Sequence, residues 1–95
     1  MRRIIDRLRS MVRQGRYVLT SHAIGEMAAD GLTETDVEQS VLSGRIVNRQ
    51  KDRFGRRKYA VEGRSGEGRL VRTVCRYSDA GGRIVVITVY EVEEE

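Results

Sequence analysis

Residues 21–44, SHAIGEMAADGLTETDVEQSVLSG, decide how the chain folds. Two helical patterns meet there at Gly31. In the second, Thr33 is placed to cap a helix, and Glu34 and Asp36 fall in its first turn, where the positive end of the helix dipole favours acids. Leu32 just before the cap and Val37 at the fourth helical position form a hydrophobic staple. Val37, Val41 and Leu42 then share one face, and Gly44 closes the helix. In the first pattern, Ser21 (or Thr20) caps a helix running to about Ala29. Ile24, Met27 and Ala28 give it a small apolar face, and Gly31 stops it.

Toward the N-terminus, Ile4, Ile5, Leu8, Met11 and Val12 recur with helical spacing, which predicts an amphipathic helix over 3–14 ended by Gly15. Tyr17-Val18-Leu19 is β-prone but short, so it is an edge strand or an extended connector. Toward the C-terminus the period changes to two at Arg45. Strands are predicted over 45–51, 57–62, 69–77 and 83–92, joined by a turn at 52–56 and glycine-rich turns at 63–68 and 78–82. Arg45, Val47, Arg49 and Lys51 are expected on one face of the first. In the third, Leu70, Arg72, Val74 and Arg76 share one face, and Val71, Thr73, Cys75 and Tyr77 the other. Ile84–Val89 is apolar on both faces, the mark of a central strand covered on both sides. Short loops between consecutive strands imply an antiparallel meander. Helices followed by strands define an α+β domain, with two to three N-terminal helices on one face of a four-stranded antiparallel sheet. Residues 1–95 form one domain: 1–44 helical, 45–92 sheet and 93–95 an acidic tail.

The net charge of +4 is unevenly spread. Residues 1–44 balance six arginines against six acids, residues 45–90 carry twelve Lys and Arg against four acids, and residues 91–95 carry four acids. A basic sheet half suits an anionic partner, nucleic acid first, although a merely solvated charged surface has the same composition. The longest apolar run, Ile84–Ile87, is too short for a membrane span, and the N-terminal residues lack the apolar block of a signal peptide, so a cytoplasmic protein is expected. One cysteine and one histidine cannot make an internal disulfide or complete a zinc site, so no metal or cofactor is expected.

His22 sits at the start of the second helix, where free N–H groups favour an anion. A neutral imidazole there is a competent general base; a ring bonded locally is the plainer alternative. Glu26 and Asp30 follow at four-residue spacing on the same face, either to orient the imidazole or as ordinary surface pairs. Arg49, Lys51, Arg53, Arg56, Arg57 and Lys58 flank the first hairpin. They could clamp a phosphate backbone while Phe54 and Tyr59 stack on bases. They could equally guard an exposed edge. Arg72 and Arg76, on a strand that should be internal, need an anion or open solvent. Tyr77 and Tyr90 suit proton transfer, stacking or packing. Cys75 reads as a small buried hydrophobe. The glycine-rich segments lack the strand-to-helix setting of a nucleotide loop.

His22-Ala23, Met27, Gly31-Leu32-Thr33, Asp36-Val37 and the closing strand Ile84–Glu91, in that order, resemble domain-of-unknown-function family 4258, over nearly the whole chain from Tyr17 onward. Its members are small bacterial and archaeal proteins, thought similar to RelE-type toxin ribonucleases. The resemblance implies metal-independent RNA cleavage, with RNA, free or on the ribosome, as substrate. It also implies a small zinc-finger antitoxin-like protein as partner. His22 would be the base or acid. Lys58, Arg72 and Arg76 would hold phosphate, and Tyr77 or Tyr90 would position or protonate. Many members carry arginine where this chain has Glu26 and Asp30; two acids there would repel an RNA phosphate from that helix, which argues against catalysis at His22 or for a different partner. A non-catalytic RNA-binding or protein-interaction module is the alternative.

Overall fold

A computed structural model describes residues 3–94. Within them the elements follow the order α1 (Ile4–Arg13), β1 (Tyr17–Leu19), α2 (Ser21–Asp30), α3 (Glu34–Ser43), β2 (Arg45–Lys51), β3 (Arg57–Arg64), β4 (Leu70–Tyr77) and β5 (Ile84–Glu91). The strands form one sheet in the order β1-β5-β4-β3-β2. Three helices and an antiparallel β2–β5 meander match the α+β expectation, but the sheet has five strands and is mixed. β1 lies parallel to β5, with Tyr17 opposite Ile84 and Leu19 opposite Val86. A three-residue run has too little pattern to announce a partner so distant in sequence, which is why the fifth strand stayed open between strand and connector.

Local chemistry explains the helix starts. Thr33 Oγ1 accepts from the Asp36 amide at 3.2 Å, while Asp36 Oδ2 accepts from the Thr33 amide at 2.9 Å, a complete capping box. Thr20, rather than Ser21, caps α2: its Oγ1 accepts from the Ala23 amide at 3.1 Å. The same residue is the last rung of the β1 ladder, its N–H donating to the Val86 carbonyl at 3.0 Å and its hydroxyl to the Ile87 carbonyl at 3.2 Å. The chain therefore passes from strand to helix without a linker.

The core lies between the helices and one sheet face. Leu8, Val12, Ala23, Met27, Val37 and Val41 meet Val61, Val71, Cys75, Ile84, Val86 and Val89. The staple residues Leu32 and Val37 are both buried there. β5 departs from expectation: its helix-side residues are buried, but Val85 and Thr88 remain partly exposed, so it is covered on one face only. A bulge at Ile87 lets Val86 and Val89 point into the same core. A second bulge, at Val47, overturns the expected shared face on β2. Arg45 pairs across from Glu62 and Asn48 from Ala60, whereas Arg49 pairs across from Tyr59. Arg45 thus joins the helix-free face, and Arg49 and Lys51 turn to the helix side.

β1 is fastened to α3 by the Tyr17 hydroxyl, which donates to Glu38 Oε2 at 2.5 Å. Burial, then the bond to Glu38 and the charges of Glu38 and Glu34, push the Tyr17 ionisation well above its ordinary range. The folded state therefore keeps the proton more tightly than the unfolded chain. Stability from this source is complete below the unfolded value near 10 and declines as pH rises beyond it. Tyr17→Phe is expected to lose less stability than wild type between pH 9 and 11 in urea titrations; equal slopes would dismiss the coupling.

Candidate nucleic-acid interface

The register assembles three rows on the helix-free face. Arg45, Glu62, Arg72 and Tyr90 stand side by side across β2, β3, β4 and β5. Next to them runs the row Asn48, Ala60, Val74 and Thr88, and beyond it Gln50 pairs with Lys58. The middle row is short at Ala60 and Val74 and its neighbours are long. The result is a trough of about 100 Å³, floored by Ala60 and Val74 and walled by Arg72 and Tyr90 on one side and Gln50 and Lys58 on the other.

Arg72 dominates its charge. Its Nε donates to Glu62 Oε2 at 2.6 Å, and a terminal nitrogen pairs with the same oxygen. Its guanidinium lies 5.9 Å from the Tyr90 ring centroid. The bond to Glu62 outweighs desolvation and raises the Arg72 pKa further, with Tyr90 adding to the effect. Five donors on a guanidinium exceed what one carboxylate oxygen engages, so Arg72 retains capacity for an incoming anion. Lys58, on the neighbouring strand, has no carboxylate partner among the described residues.

The remaining candidates disperse. His22 is the second residue of α2, with Nε2 at 3.1 Å from Glu26 Oε1 and a side chain 67% exposed. It is outside the trough lining. Arg76 shares the open face but donates to the Tyr77 carbonyl at 3.0 Å and approaches Asp79 at 3.8 Å. Tyr77 is on the opposite, helix-covered face. Its ring meets Tyr59 edge-on at 6.0 Å and lies under the Arg7 guanidinium at 4.8 Å, and its hydroxyl is buried without a partner. Burial raises its pKa against the opposing Arg7 charge. The pleat sets Tyr77 and Arg72 on opposite faces of β4. Tyr59 is also in the core, 3% exposed, and cannot stack on a base.

The hairpin cations divide between both faces. Arg49, Lys51 and Arg57 ring a depression of about 180 Å³ on the helix side. Arg53 and Arg56 stack on Phe54 at the tip, at 5.1 and 5.3 Å. Phe54 is 70% exposed and is the one hairpin aromatic placed to stack on a ligand. Asp52 organises the tip, accepting from the Phe54 and Arg56 amides and from Arg56 Nε at 2.8 Å. Cys75 is fully buried, which pushes its thiol up to about 12.

Glu26 and Asp30 have an architectural role. β1 ends at Leu19, so the β5 amides beyond it face no strand. Glu26 Oε1 accepts from the Val89 amide at 3.2 Å and Asp30 Oδ2 from the Glu91 amide at 2.9 Å. A four-residue step along a helix rises about 6 Å and a two-residue step along a strand about 6.7 Å, so two successive carboxylates match two successive outward amides. The acids replace the missing strand. Glu26→Ala and Asp30→Ala are each expected to cost about 1 kcal/mol in urea unfolding and to speed amide exchange at Val89 and Glu91 respectively. Unchanged exchange at both amides would refute the edge-capping role.

Register is also what hid Asn48, Gln50 and Glu62 from the sequence reading. Nothing in their own neighbourhood marks them, because each acquires its meaning from the residue across the sheet. Among the described residues no group of three or more His, Cys, Asp or Glu side chains is placed to hold a metal ion, and no helix is long and apolar enough to cross a membrane.

Two cations, two amides and a phenol surround an apolar-floored trough on the open sheet face. The chain belongs to the family defined by the domain of unknown function DUF4258, whose model matches residues 19–91. No curated protein and no solved structure matches it.

Proposed function

We propose that the helix-free face binds single-stranded RNA, seats one backbone phosphate in the trough and cleaves beside it without a metal, in the manner of a RelE-type toxin ribonuclease. The observation that carries this reading is the convergence of Lys58, Arg72 and Tyr90 from three strands on one depression. Lys58 and Arg72 stabilise the charge that builds on the phosphoryl oxygens in the transition state. Glu62, held beside Arg72, accepts the 2′-hydroxyl proton as the 2′-oxygen attacks phosphorus. Tyr90 gives its proton to the departing 5′-oxygen, leaving a 2′,3′-cyclic phosphate and a 5′-hydroxyl. Phe54 and the tip cations Arg53 and Arg56 extend the contact along the strand. A toxin of this type would be neutralised in the cell by a small antitoxin-like protein.

A second reading is RNA binding without cleavage. It is favoured by the engagement of Glu62 with Arg72 and by the place of His22 outside the trough. End-labelled RNA incubated with the protein in EDTA, with and without ribosomes, separates the two. Cyclic-phosphate products support cleavage, and salt-sensitive retention without products supports binding alone. Neither outcome with any RNA removes both. Growth arrest on expression, relieved by Arg72→Ala and not by His22→Ala, is the expected cellular result of the first reading.

A further inference from the structure

The two edges of the sheet are treated differently. The β5 side is closed by β1 and then by the Glu26 and Asp30 carboxylates. On the other side β2 is the last strand, and apart from Ile46 all of its residues are exposed. Beside this edge, between β2 and α1, runs a groove of about 680 Å³. Its floor is Ile4, Ile5 and Ile46, and its rim is arginine: Arg3 at the cap of α1 and Arg9 within it, Arg45 and Arg49 from β2. Asp6 is shared by Arg3 and Arg9, at 3.4 and 3.6 Å, so it does not neutralise both. Arg9 keeps a buried Nε without an acceptor. Arg45 and Arg49 have no carboxylate partner among the described residues.

We infer that this groove docks an extended acidic segment of a partner protein, which adds to the free edge of β2 as a sixth strand. Main-chain pairing supplies the common affinity of strand addition, and the side chains set the choice of partner. On the helix side, an apolar residue of the incoming strand falls beside Ile46, over Ile4 and Ile5, and acids fall beside Arg49 and Lys51. On the open side an acid falls beside Arg45. A segment of about six residues, acidic apart from the apolar residue beside Ile46, fits the seven-residue strand. A second copy of β2 does not fit: antiparallel pairing centred on Asn48 sets Arg45 against Lys51, and like charges directly opposite repel. Cations and a bulge on an edge strand also fend off self-association, but that defence requires no isoleucine floor. The same floor disfavours RNA, whose phosphate backbone offers nothing apolar to cover it. This inference does not depend on the RNA reading.

The test uses a fluorescein-labelled six-residue peptide of glutamates with one internal valine, and a second in which lysine replaces glutamate. Anisotropy is expected to show binding of the glutamate peptide only, with slowed amide exchange across 45–51. Arg45→Glu with Arg49→Glu is expected to weaken it at least tenfold. Arg16→Glu with Arg83→Glu, an equal charge change at exposed residues away from the groove, is expected to retain affinity within threefold. Circular dichroism of both double variants guards against misfolding. No binding, equal binding of the lysine peptide, equal loss in the two double variants, or protection outside β2 would each overturn the proposal. So would protection of 45–51 by a uridine oligomer, which would assign the groove to nucleic acid. A sedimenting dimer with β2 protected and no peptide present would assign it to a second copy.

Discussion

Gly63→Ala is expected to destabilise the domain by about 3 kcal/mol, at the upper end of what overpacking costs and a large share of the 5–15 kcal/mol that holds a domain together. A Cβ at Gly63 would lie 1.9 Å from the Ser40 carbonyl oxygen and 2.7 Å from the Gly44 Cα. One at Gly44 would lie 2.4 Å from the Ser40 oxygen and 2.5 Å from the Glu62 oxygen. Every obstacle is backbone, so no side chain can rotate aside. Neither glycine has a positive φ, so the requirement is for space. The space is small because the last turn of α3 rests directly on β3. Ser43 Oγ donates to the Arg64 carbonyl at 3.0 Å and accepts from its amide at 3.1 Å, and Arg9 donates to the Gly44 carbonyl at 2.7 Å. Relieving the clash lifts α3 from β3 and breaks that seam. Gly25→Ala is the control, since a Cβ there meets nothing within 4 Å in a helix interior. It is expected to stabilise by about 0.5–1 kcal/mol. Urea midpoints of the two variants should move in opposite directions. A Gly63→Ala protein within about 0.5 kcal/mol of wild type would mean that the seam is looser than described.

The Gly44–Gly63 contact shows where the sequence is eloquent and where it is mute. Gly44 reads as a helix stop, which it is, yet its lack of a side chain answers to Glu62 across the seam. Gly63 reads as the start of a turn and instead lies inside β3. Signals confined to a few residues carried through: the Thr33 cap, the Leu32–Val37 staple and the alternation on β4 all stand in the fold. Features that depend on pairing did not. One extra residue at Val47 turned Arg49 to the helix side, and no side chain near it marks the bulge. Glu26 and Asp30 share a helical face with His22 as their spacing indicates. Their partners, however, are main-chain amides 63 and 61 residues away. An amide has no side-chain signature, so no reading of residue types could have found it. The trough follows the same rule: Lys58, Arg72 and Tyr90 were each legible as candidates, but register set them together and sent Tyr77 to the other face.

Lys58→Ala and Arg72→Ala are expected to weaken RNA binding in different ways, and the difference tests the trough itself. Lys58 has no carboxylate to leave behind, so its removal should leave the urea midpoint unchanged. If it contacts one phosphate, the slope of log affinity against log salt should fall by about 0.7, the value for a single strand. Arg72 is half of a pair with Glu62, whose side chain is only 17% exposed. Arg72→Ala strands that carboxylate beside the phosphate site, so it should reduce affinity more than Lys58→Ala and also lower stability. Adding Glu62→Gln removes the stranded charge and should restore part of the affinity without restoring cleavage, because the proton acceptor has gone with it. Glu62→Gln alone should bind RNA at least as well as wild type while cleavage drops by on the order of 10²–10⁴, the range for losing a general base. Tyr90→Phe should do the same by removing the proton donor while keeping the ring against Arg72. Binding and cleavage thereby divide among the side chains of the trough and the carboxylate paired with Arg72. If neither Lys58→Ala nor Arg72→Ala alters the salt slope, RNA is held elsewhere on the basic half, and the convergence of the three strands has no part in holding it.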